Sequence, residues 1–314
     1  MAKNNTKDKV SIIVLAVNSL DLIKNELKEI SKLDTKVIKA ECIIVDNGSN
    51  DGLQEYIKDY KLPNMGFKYL KNTSNLGFAE GNNVGINYAL NNGSKYILLL
   101  NNDMILSNDL LIKLAKFLND NPKIGLVSPK IYFAKGYEFH KDRYHDKDLG
   151  NVIWYAGGNI DWNNIYTSHI GVDEIDSGQY DKIIKTEIAN GACVLIRKEV
   201  FEKIGLLDRG LFLYWEDADF CQRALRNGFG IMYYPGTTVW HKVSSSAGGS
   251  GSISNDYFLI RNRLYFALRY AGLRARFAVL RDTVKLAING REWQKIGARD
   301  ALLGKKGIGS WAKK

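Results

Sequence analysis

The chain has 314 residues, 45% of them hydrophobic and only four of them proline, which is enough for one large domain or two small ones around a sizeable core. It contains no run of 18 apolar residues, so no membrane-spanning helix is expected. The net charge of +10 is carried at one end: residues 261–314 hold 14 Lys/Arg and 3 Asp/Glu, a net of +11, against 30 and 31 in residues 1–260, a net of −1.

The stretch Met1–Lys9 is polar and lacks the apolar segment of a signal peptide. Cys42, Cys193 and Cys221 are widely spaced and odd in number, which fits neither a disulfide framework nor a zinc site and predicts a reduced cytosolic setting. A basic tail suggests anionic lipid headgroups or nucleic acid, and a solvated helical face is the plainer alternative.

In chain order, Val10–Val17 reads as a buried first strand, stopped by Asn18-Ser19. Leu22, Ile23, Leu27 and Ile30 predict a helix over 20–32. Glu41–Val45 is a second strand ending in Asp46–Asp51, where Ser49, Asn50 or Asp51 can cap a helix over 52–60. Phe67–Leu70 is a third strand. Gly77, Gly81 and Gly85 then punctuate the entry to a helix ending near Leu90. The apolar run Ile97–Leu100 predicts a buried strand that breaks into Asn101-Asn102-Asp103. A helix over 109–119 and a short strand over 125–128 follow.

Residues 132–190 are aromatic and poorly periodic, and predict loops with a few antiparallel strands. Gly191–Arg197 is a strand, 198–204 a short helix and 217–227 another helix. Ile231–Tyr234 and Thr238–Trp240 are strands. Val243–Ile253 is a Ser/Gly link, read as either a lid or a plain linker. From Asn255 on, helices are expected to about 288, followed by a second basic piece to 314. The β-α-β-α order predicts an α/β fold with a mostly parallel sheet and right-handed crossovers.

Polar groups recur at strand ends and loop entries: Asn18, Asp46-Asn47, Asn75–Asn83, Asn101–Asp103, Glu216-Asp217 and His241. In open α/β sheets ligands bind at the carboxyl ends of the strands. Each group also has a structural reading. Asp46-Asn47-Gly48 is good turn chemistry, Glu216-Asp217 suits a helix N-terminus, and a lone His241 suits a strand end.

Taken together the motifs resemble the family 2 glycosyltransferases with a GT-A fold, in the rhamnosyltransferase-like branch. The resemblance covers roughly residues 9–265. It rests on Val10–Val17, Val45–Asp51, Asn75–Asn83, Leu100–Asp103, Asn190–Arg197, Gly205–Asp208, Phe212–Asp219, Arg223, Tyr234-Pro235, Val239–His241 and Arg261-Asn262. It implies a Rossmann-like, mostly parallel sheet with helices on both faces and a C-terminal helical tail. The GT-A domain would cover 1–260, with a nucleotide-sugar half (1–130) and an acceptor and catalytic-base half (131–260). Residues 261–314 would form a basic helical extension.

The resemblance also implies roles. Asp46 and Asn47 would meet the nucleoside, with Ala16, Val17 and Asn18 beside them. Asn75, Gly77, Asn82 and Asn102 would lie near the ribose, diphosphate or sugar. Asp103 closes the family's Asp-x-Asp metal motif, whose first position here is Asn101. With one carboxylate missing, His241 would share a Mg2+ or Mn2+ ion with Asp103 and the donor's phosphates. Asp217 would be the catalytic base, and Trp215 and Glu216 would contact the acceptor. With no second carboxylate nucleophile in the pattern, inversion is expected.

The implied reaction moves a sugar from a nucleotide donor to a cell-surface glycan or lipid-linked acceptor. dTDP-L-rhamnose is the first donor to consider, and UDP-sugars are the alternative. The setting would be cytoplasmic, peripheral to the inner face of the membrane through the basic tail, whose helices would otherwise support the core or a homodimer. A nucleotidyltransferase is disfavoured, because no Gly-rich, Arg-bearing loop follows the first strand. A nucleic-acid-binding protein is disfavoured by the Leu/Phe spacing of the tail. An inactive scaffold is disfavoured by the presence of Asp103, Asp217 and His241.

Overall fold

The computed structural model describes residues 7–243 and 252–313. Strand β1 (Lys9–Ala16) leads into helix α1 (Leu20–Ser31), β2 (Lys39–Asp46) into α2 (Leu53–Ile57), and β3 (Gly66–Lys71) into α3 (Gly77–Asn91). Next come β4 (Tyr96–Leu100), the short β5 (Met104–Leu106), α4 (Leu110–Asp120) and β6 (Ile124–Phe133). The loop-rich middle holds β7 (Ile153–Tyr155), β8 (Gly158–Asp161), β9 (Tyr166–His169) and β10 (Ile184–Lys185). The chain returns through β11 (Cys193–Arg197), α5 (Lys198–Ile204), α6 (Glu216–Arg226) and β12 (Gly230–His241). It continues with α7 (Ile253–Tyr270), α8 (Leu273–Asn289) and α9 (Glu292–Leu302).

The main sheet runs β10-β12-β6-β11-β4-β1-β2-β3, with β5 added to β12 and β7 to β6. The half made of β4, β1, β2 and β3 is parallel, as the alternation of strands and helices predicts. The other half is mixed, because β11 runs antiparallel to both β4 and β6. Register brings the carboxyl ends of β1, β2 and β4 side by side, with Ala16 opposite Asp46 and Val14 opposite Leu100.

Alternate residues of each parallel strand enter separate cores, as the two-residue period of a strand requires. Ile12, Val14, Ile44 and Leu98 pack with Ile23 and Leu27 of α1 and Leu114 of α4. Ile13, Ile43 and Leu99 pack on the opposite face with Ala79 and Ile86 of α3, Val200 of α5 and Ala224 of α6. Helices therefore cover both faces. Cys42, Cys193 and Cys221 are free and buried in these cores.

Several elements differ from expectation. Helix α2 stops at Ile57, and β6 runs five residues beyond Ser128. The two strands expected over 231–240 are one strand with an irregularity between Tyr234 and Thr238. Pro235 sits in that break, where no ladder donor is needed. The helical stretch expected to about 288 consists of α7 and α8, which part after Tyr270 where Ala271 and Gly272 both adopt extended backbone. Helix α7 runs through residue 260 without a break, and its Arg261 and Asn262 are wholly buried. Of the Ser/Gly link, residues 244–251 lie outside the described residues.

Candidate active site

The loops after β1, β2 and β4 are stitched together at the edge of the parallel half. The Asn47 backbone N–H donates to the Ala16 carbonyl at 2.8 Å, the Asn18 N–H donates to Ser49 Oγ, and Asn18 Oδ1 accepts from the Asn50 N–H. Asn18 holds a left-handed backbone, φ +44°, which asparagine tolerates better than most residues. Asp46 is wholly buried. It accepts from the Ser49 N–H at 2.7 Å and from the Tyr69 hydroxyl at 2.5 Å. Asn47, also wholly buried, donates to Asn75 Oδ1 and the Gly77 carbonyl and accepts from Asn72 Nδ2 and the Leu76 N–H.

This changes the picture drawn from the sequence. Asp46, Asn47, Asn82 and Asn102 were expected against a donor, yet their side chains are committed to the protein's own polar groups. The Asn82 amide donates to the Phe78 carbonyl, and Asn102 donates to the Leu15 carbonyl and Ser19 Oγ. The physical reason is burial, since a buried polar group without a partner is costly. These residues brace the loops, and Val17, Asn18 and Asn75 are the members left exposed. Gly77 is buried too. At φ +83°, an added Cβ would lie 2.5 Å from the Phe212 ring, so glycine there permits the close approach of the Phe212 loop to α3. In the first turn of α3 the Gly77 N–H donates to Asn75 Oδ1, and those of Phe78 and Ala79 donate to the Phe212 carbonyl, so these groups are not directed at a diphosphate.

Asp103 and His241 do meet. The pairing of β5 with β12 sets His241 opposite Met104, and the Lys242 N–H donates to the Asp103 carbonyl at 2.9 Å. His241 Nε2 then lies 3.1 Å from Asp103 Oδ1, with both side chains buried. Among the described residues, Asp103 Oδ1 and His241 Nδ1 have no hydrogen-bond partner. A separation near 3 Å is that of adjacent ligands around an octahedral cation with bonds of about 2.1–2.2 Å. The pair therefore fits a single divalent cation, with the remaining positions left for water or a ligand's oxygens. Among the described residues, no group of three or more His, Cys, Asp or Glu is placed to hold a metal.

Asp217 stands across a short bridge from this pair. The Asn101 N–H donates to the Ala192 carbonyl at 2.9 Å, and the Gly191 N–H lies 3.4 Å from Asp217 Oδ2. The Asn190–Ala192 segment thus separates the Asn101–Asp103 turn from Asp217. Asp217 is partly buried in the first turn of α6 and accepts the Ala218 N–H at 2.7 Å. Burial raises its carboxyl above the ordinary aspartate value, against the lowering effect of the Ala218 and Gly191 N–H groups.

Trp215 and Glu216, expected at the acceptor, both turn inward. Trp215 packs its ring 4.8 Å from Phe266, and Glu216 is buried with Oε2 lacking a partner. Burial, with the Asp217 charge second, pushes the Glu216 carboxyl well above the usual range. The folded protein therefore holds a proton on Glu216 that the unfolded chain releases. Stability then falls as pH rises from the ordinary glutamate value toward the shifted one, by up to about 1.4 kcal/mol per pH unit. Glu216→Gln is expected to remove that slope. Its melting temperature should exceed the wild type's by more at about pH 8 than at about pH 5, and a constant difference would contradict the assignment.

The loop ahead of this pair is unusual. Phe212, Tyr214 and Trp215 adopt φ of +64°, +64° and +73°, a region that non-glycine residues rarely occupy. Asn262 of α7 holds it: its amide nitrogen lies 2.8 Å from each of the carbonyls of Leu211, Leu213 and Tyr214, its two hydrogens shared among them. Arg261 donates to the Leu211 carbonyl at 2.9 Å, to Asn262 Oδ1 at 2.9 Å and to the Gly307 carbonyl at 2.6 Å. Asn262 entered the sequence reading only as part of a motif, and its role is visible only in the fold.

Trp154 and His169 were missed. The Trp154 ring lies 4.5 Å from the His241 ring and 4.6 Å from the His169 ring, edge-on to each. His169 Nδ1 donates to the Trp154 carbonyl, and its Nε2 accepts from the Asn190 amide. That pattern fixes one neutral tautomer, and burial pulls the imidazole down to about 4. An aromatic wall thus links His241 to the Asn190 segment beside Asp217. It comes from the poorly periodic middle of the chain, which carries no pattern that would single it out.

The family model described as Glycosyl transferase family 2 matches residues 11–205. The chain is 26% identical over 225 residues to the low-salt glycan biosynthesis hexosyltransferase of Haloferax volcanii, covering 71% of this chain and 64% of that protein. It is 24% identical to the dTDP-rhamnosyl transferase RfbF of Shigella flexneri, covering 71% and 67%. It is 23% identical to the N-acetylglucosaminyl-diphospho-decaprenol L-rhamnosyltransferase of Mycobacterium tuberculosis, covering 66% and 67%. The chain thus spans about two-thirds of these relatives' own length. In fold it is similar to GalNAc-T7 with UDP, GalNAc and Mn2+, at a TM-score of 0.69 and 16% identity over 99% of this chain and 57% of that one. It is also similar to the mannosyltransferase of Pyrobaculum calidifontis in complex with GDP-Man and Mn2+, at 0.57 and 17% over 98% and 76%. These structures share the GT-A fold. With the family model spanning more than half of its length, the chain belongs to glycosyl transferase family 2.

Proposed function

We propose that the protein transfers a sugar from a nucleotide donor to a hydroxyl of a glycan or lipid-linked saccharide, with inversion at the anomeric carbon. The observation that carries this reading is the buried Asp103–His241 pair, set one three-residue segment away from the partly buried Asp217. Asp103 and His241 would hold Mn2+ or Mg2+, the imidazole favouring Mn2+. When bound, the cation supplies charge neutralisation for a diphosphate leaving group. The backbone at Ala16–Val17 and the exposed Asn18 and Asn75 would meet the nucleoside end, while Asp46, Asn47 and Asn102 keep those loops in place.

Asp217 takes the proton of the acceptor hydroxyl as its oxygen bonds to the anomeric carbon. The bond from that carbon to the diphosphate oxygen breaks, and the nucleoside diphosphate leaves with the electron pair. A carboxylate whose pKa is raised by burial is a stronger base than an ordinary aspartate. Trp215 and Glu216 act behind it, shaping the loop.

Two relatives named for rhamnose transfer support dTDP-L-rhamnose as the donor, and the UDP complex among the fold neighbours supports UDP-sugars as the alternative. The decaprenol-linked acceptor in one relative's name supports a lipid-linked acceptor here. A cytoplasmic setting is supported by the three free, buried cysteines. A donor panel assayed for nucleoside diphosphate release tests the reading. Release that needs Mn2+ or Mg2+ and stops with chelator is expected. No turnover and no stabilisation by any nucleotide would overturn it.

A further inference from the structure

Helix α8 carries an apolar stripe that nothing among the described residues covers. Leu273, Phe277, Leu280, Val284 and Ile288 recur every three or four residues and so share one face. Leu273 is 71% exposed, Phe277 70% and Ile288 64%, with Leu280 and Val284 at 37% and 42%. The opposite side of the helix is satisfied, with Ala275, Val279, Thr283 and Ala287 buried where α8 packs on α7 and α9. Five large apolar side chains along about 25 Å of helix are a face built for an apolar partner.

The charges beside the stripe identify the partner. At helical spacing Arg274, Arg281 and Lys285 border one edge of the stripe, and all three are exposed. They lie in the segment that carries a net of +11. A second copy of this chain seated on the stripe would bring like charges together. A lipid surface with anionic headgroups accepts both the apolar stripe and its cationic border.

We propose that α8 is a membrane-docking helix that lies flat on an anionic lipid surface, with Leu273, Phe277 and Ile288 inserted among the acyl chains. This deepens the reading of a lipid-linked acceptor and rests on it only for its purpose. Helix α8 follows α7 after two residues, and α7 clamps the loop that leads into Asp217. Docking through α8 would therefore couple the acceptor side of the site to the bilayer. Among the described residues no helix is long and apolar enough to cross a membrane, so attachment through α8 is interfacial.

The test is sedimentation of the full chain with vesicles of phosphatidylcholine alone and of phosphatidylcholine mixed equally with phosphatidylglycerol. Binding to the anionic vesicles, weak binding to the neutral ones and release by salt are expected. Phe277→Glu and Ile288→Glu should each lower vesicle affinity about tenfold or more. Arg281→Ala should lower it about fivefold, on anionic vesicles only. Both glutamate variants alter exposed positions, so their melting temperature and their activity on a soluble acceptor should match the wild type's. Equal binding to both vesicles, no binding to either, or binding untouched by the Phe277 and Ile288 changes would each overturn the proposal. So would a dimer that Phe277→Glu dissolves, or nucleic-acid binding that competes with vesicles. Vesicle binding needs neither donor nor acceptor, so it can fail while sugar transfer stands, and the reverse.

Discussion

Asp217→Asn is expected to lower the rate of sugar transfer by about 10²–10⁴-fold, the contribution of a positioned general base. Asparagine keeps the size of the side chain and an oxygen for the Ala218 N–H, so the first turn of α6 stays in place. Stabilisation by nucleotide should be unchanged, because Asp217 lies across the Asn190–Ala192 segment from the Asp103–His241 pair. In the wild type the rate should fall on the acid side as Asp217 takes up a proton. Burial places that limb above the ordinary aspartate range. Measured kcat and its pH profile check both statements. Full activity in the variant would remove Asp217 as the base.

The second large effect is expected from Asn262→Leu. The side chain is wholly buried, and its loss leaves the Leu213 and Tyr214 carbonyls without the donor that holds them, while the Leu211 carbonyl keeps Arg261. Each unsatisfied buried group costs about 1–3 kcal/mol, so a stability loss of about 2 kcal/mol or more is expected. The left-handed residues Phe212, Tyr214 and Trp215 each store about 1–3 kcal/mol, which the loop releases when the clamp is gone. Trp215 would then leave its place beside Phe266 and carry Asp217 with it. A displacement near 1 Å lowers rate by about 10²-fold. Well below the melting temperature, kcat should fall while nucleotide stabilisation persists. A variant that melts early yet retains its kcat would show that Asn262 only holds the fold.

The parallel half of the sheet was legible because its strands carry continuous apolar runs, and the polar residues that end them are plain in sequence. What the side chains do there was not legible. A polar residue at a strand end reads the same whether it faces a cleft or braces a loop, and burial decides between these for Asp46, Asn47 and Asn102. The meeting of Asp103 with His241 depends on a three-residue strand pairing with one far along the chain. A strand of that length has no detectable period, so only the family resemblance linked the two. The tail shows the same limit from the other side. Its charge was plain, but an arginine in a basic helix reads as solvated, and Arg261 is wholly buried. The break at Ala271-Gly272 has no proline to announce it, and without that break the exposed stripe of α8 would not be a separate element.

The central claim is that Asp103 and His241 share one cation with the phosphates of a nucleotide. With two protein ligands and a neutral Asn101, metal affinity should be weak until the nucleotide supplies further oxygens. Thermal unfolding with Mn2+ alone, a nucleoside diphosphate alone and both together measures this, in the wild type and in His241→Ala. The two ligands together should stabilise the wild type by more than the sum of their separate effects, a coupling of about 1–3 kcal/mol. His241→Ala should lose the coupling and keep the response to nucleotide. Tight Mn2+ binding by the nucleotide-free protein, or coupling that survives in His241→Ala, would contradict the account.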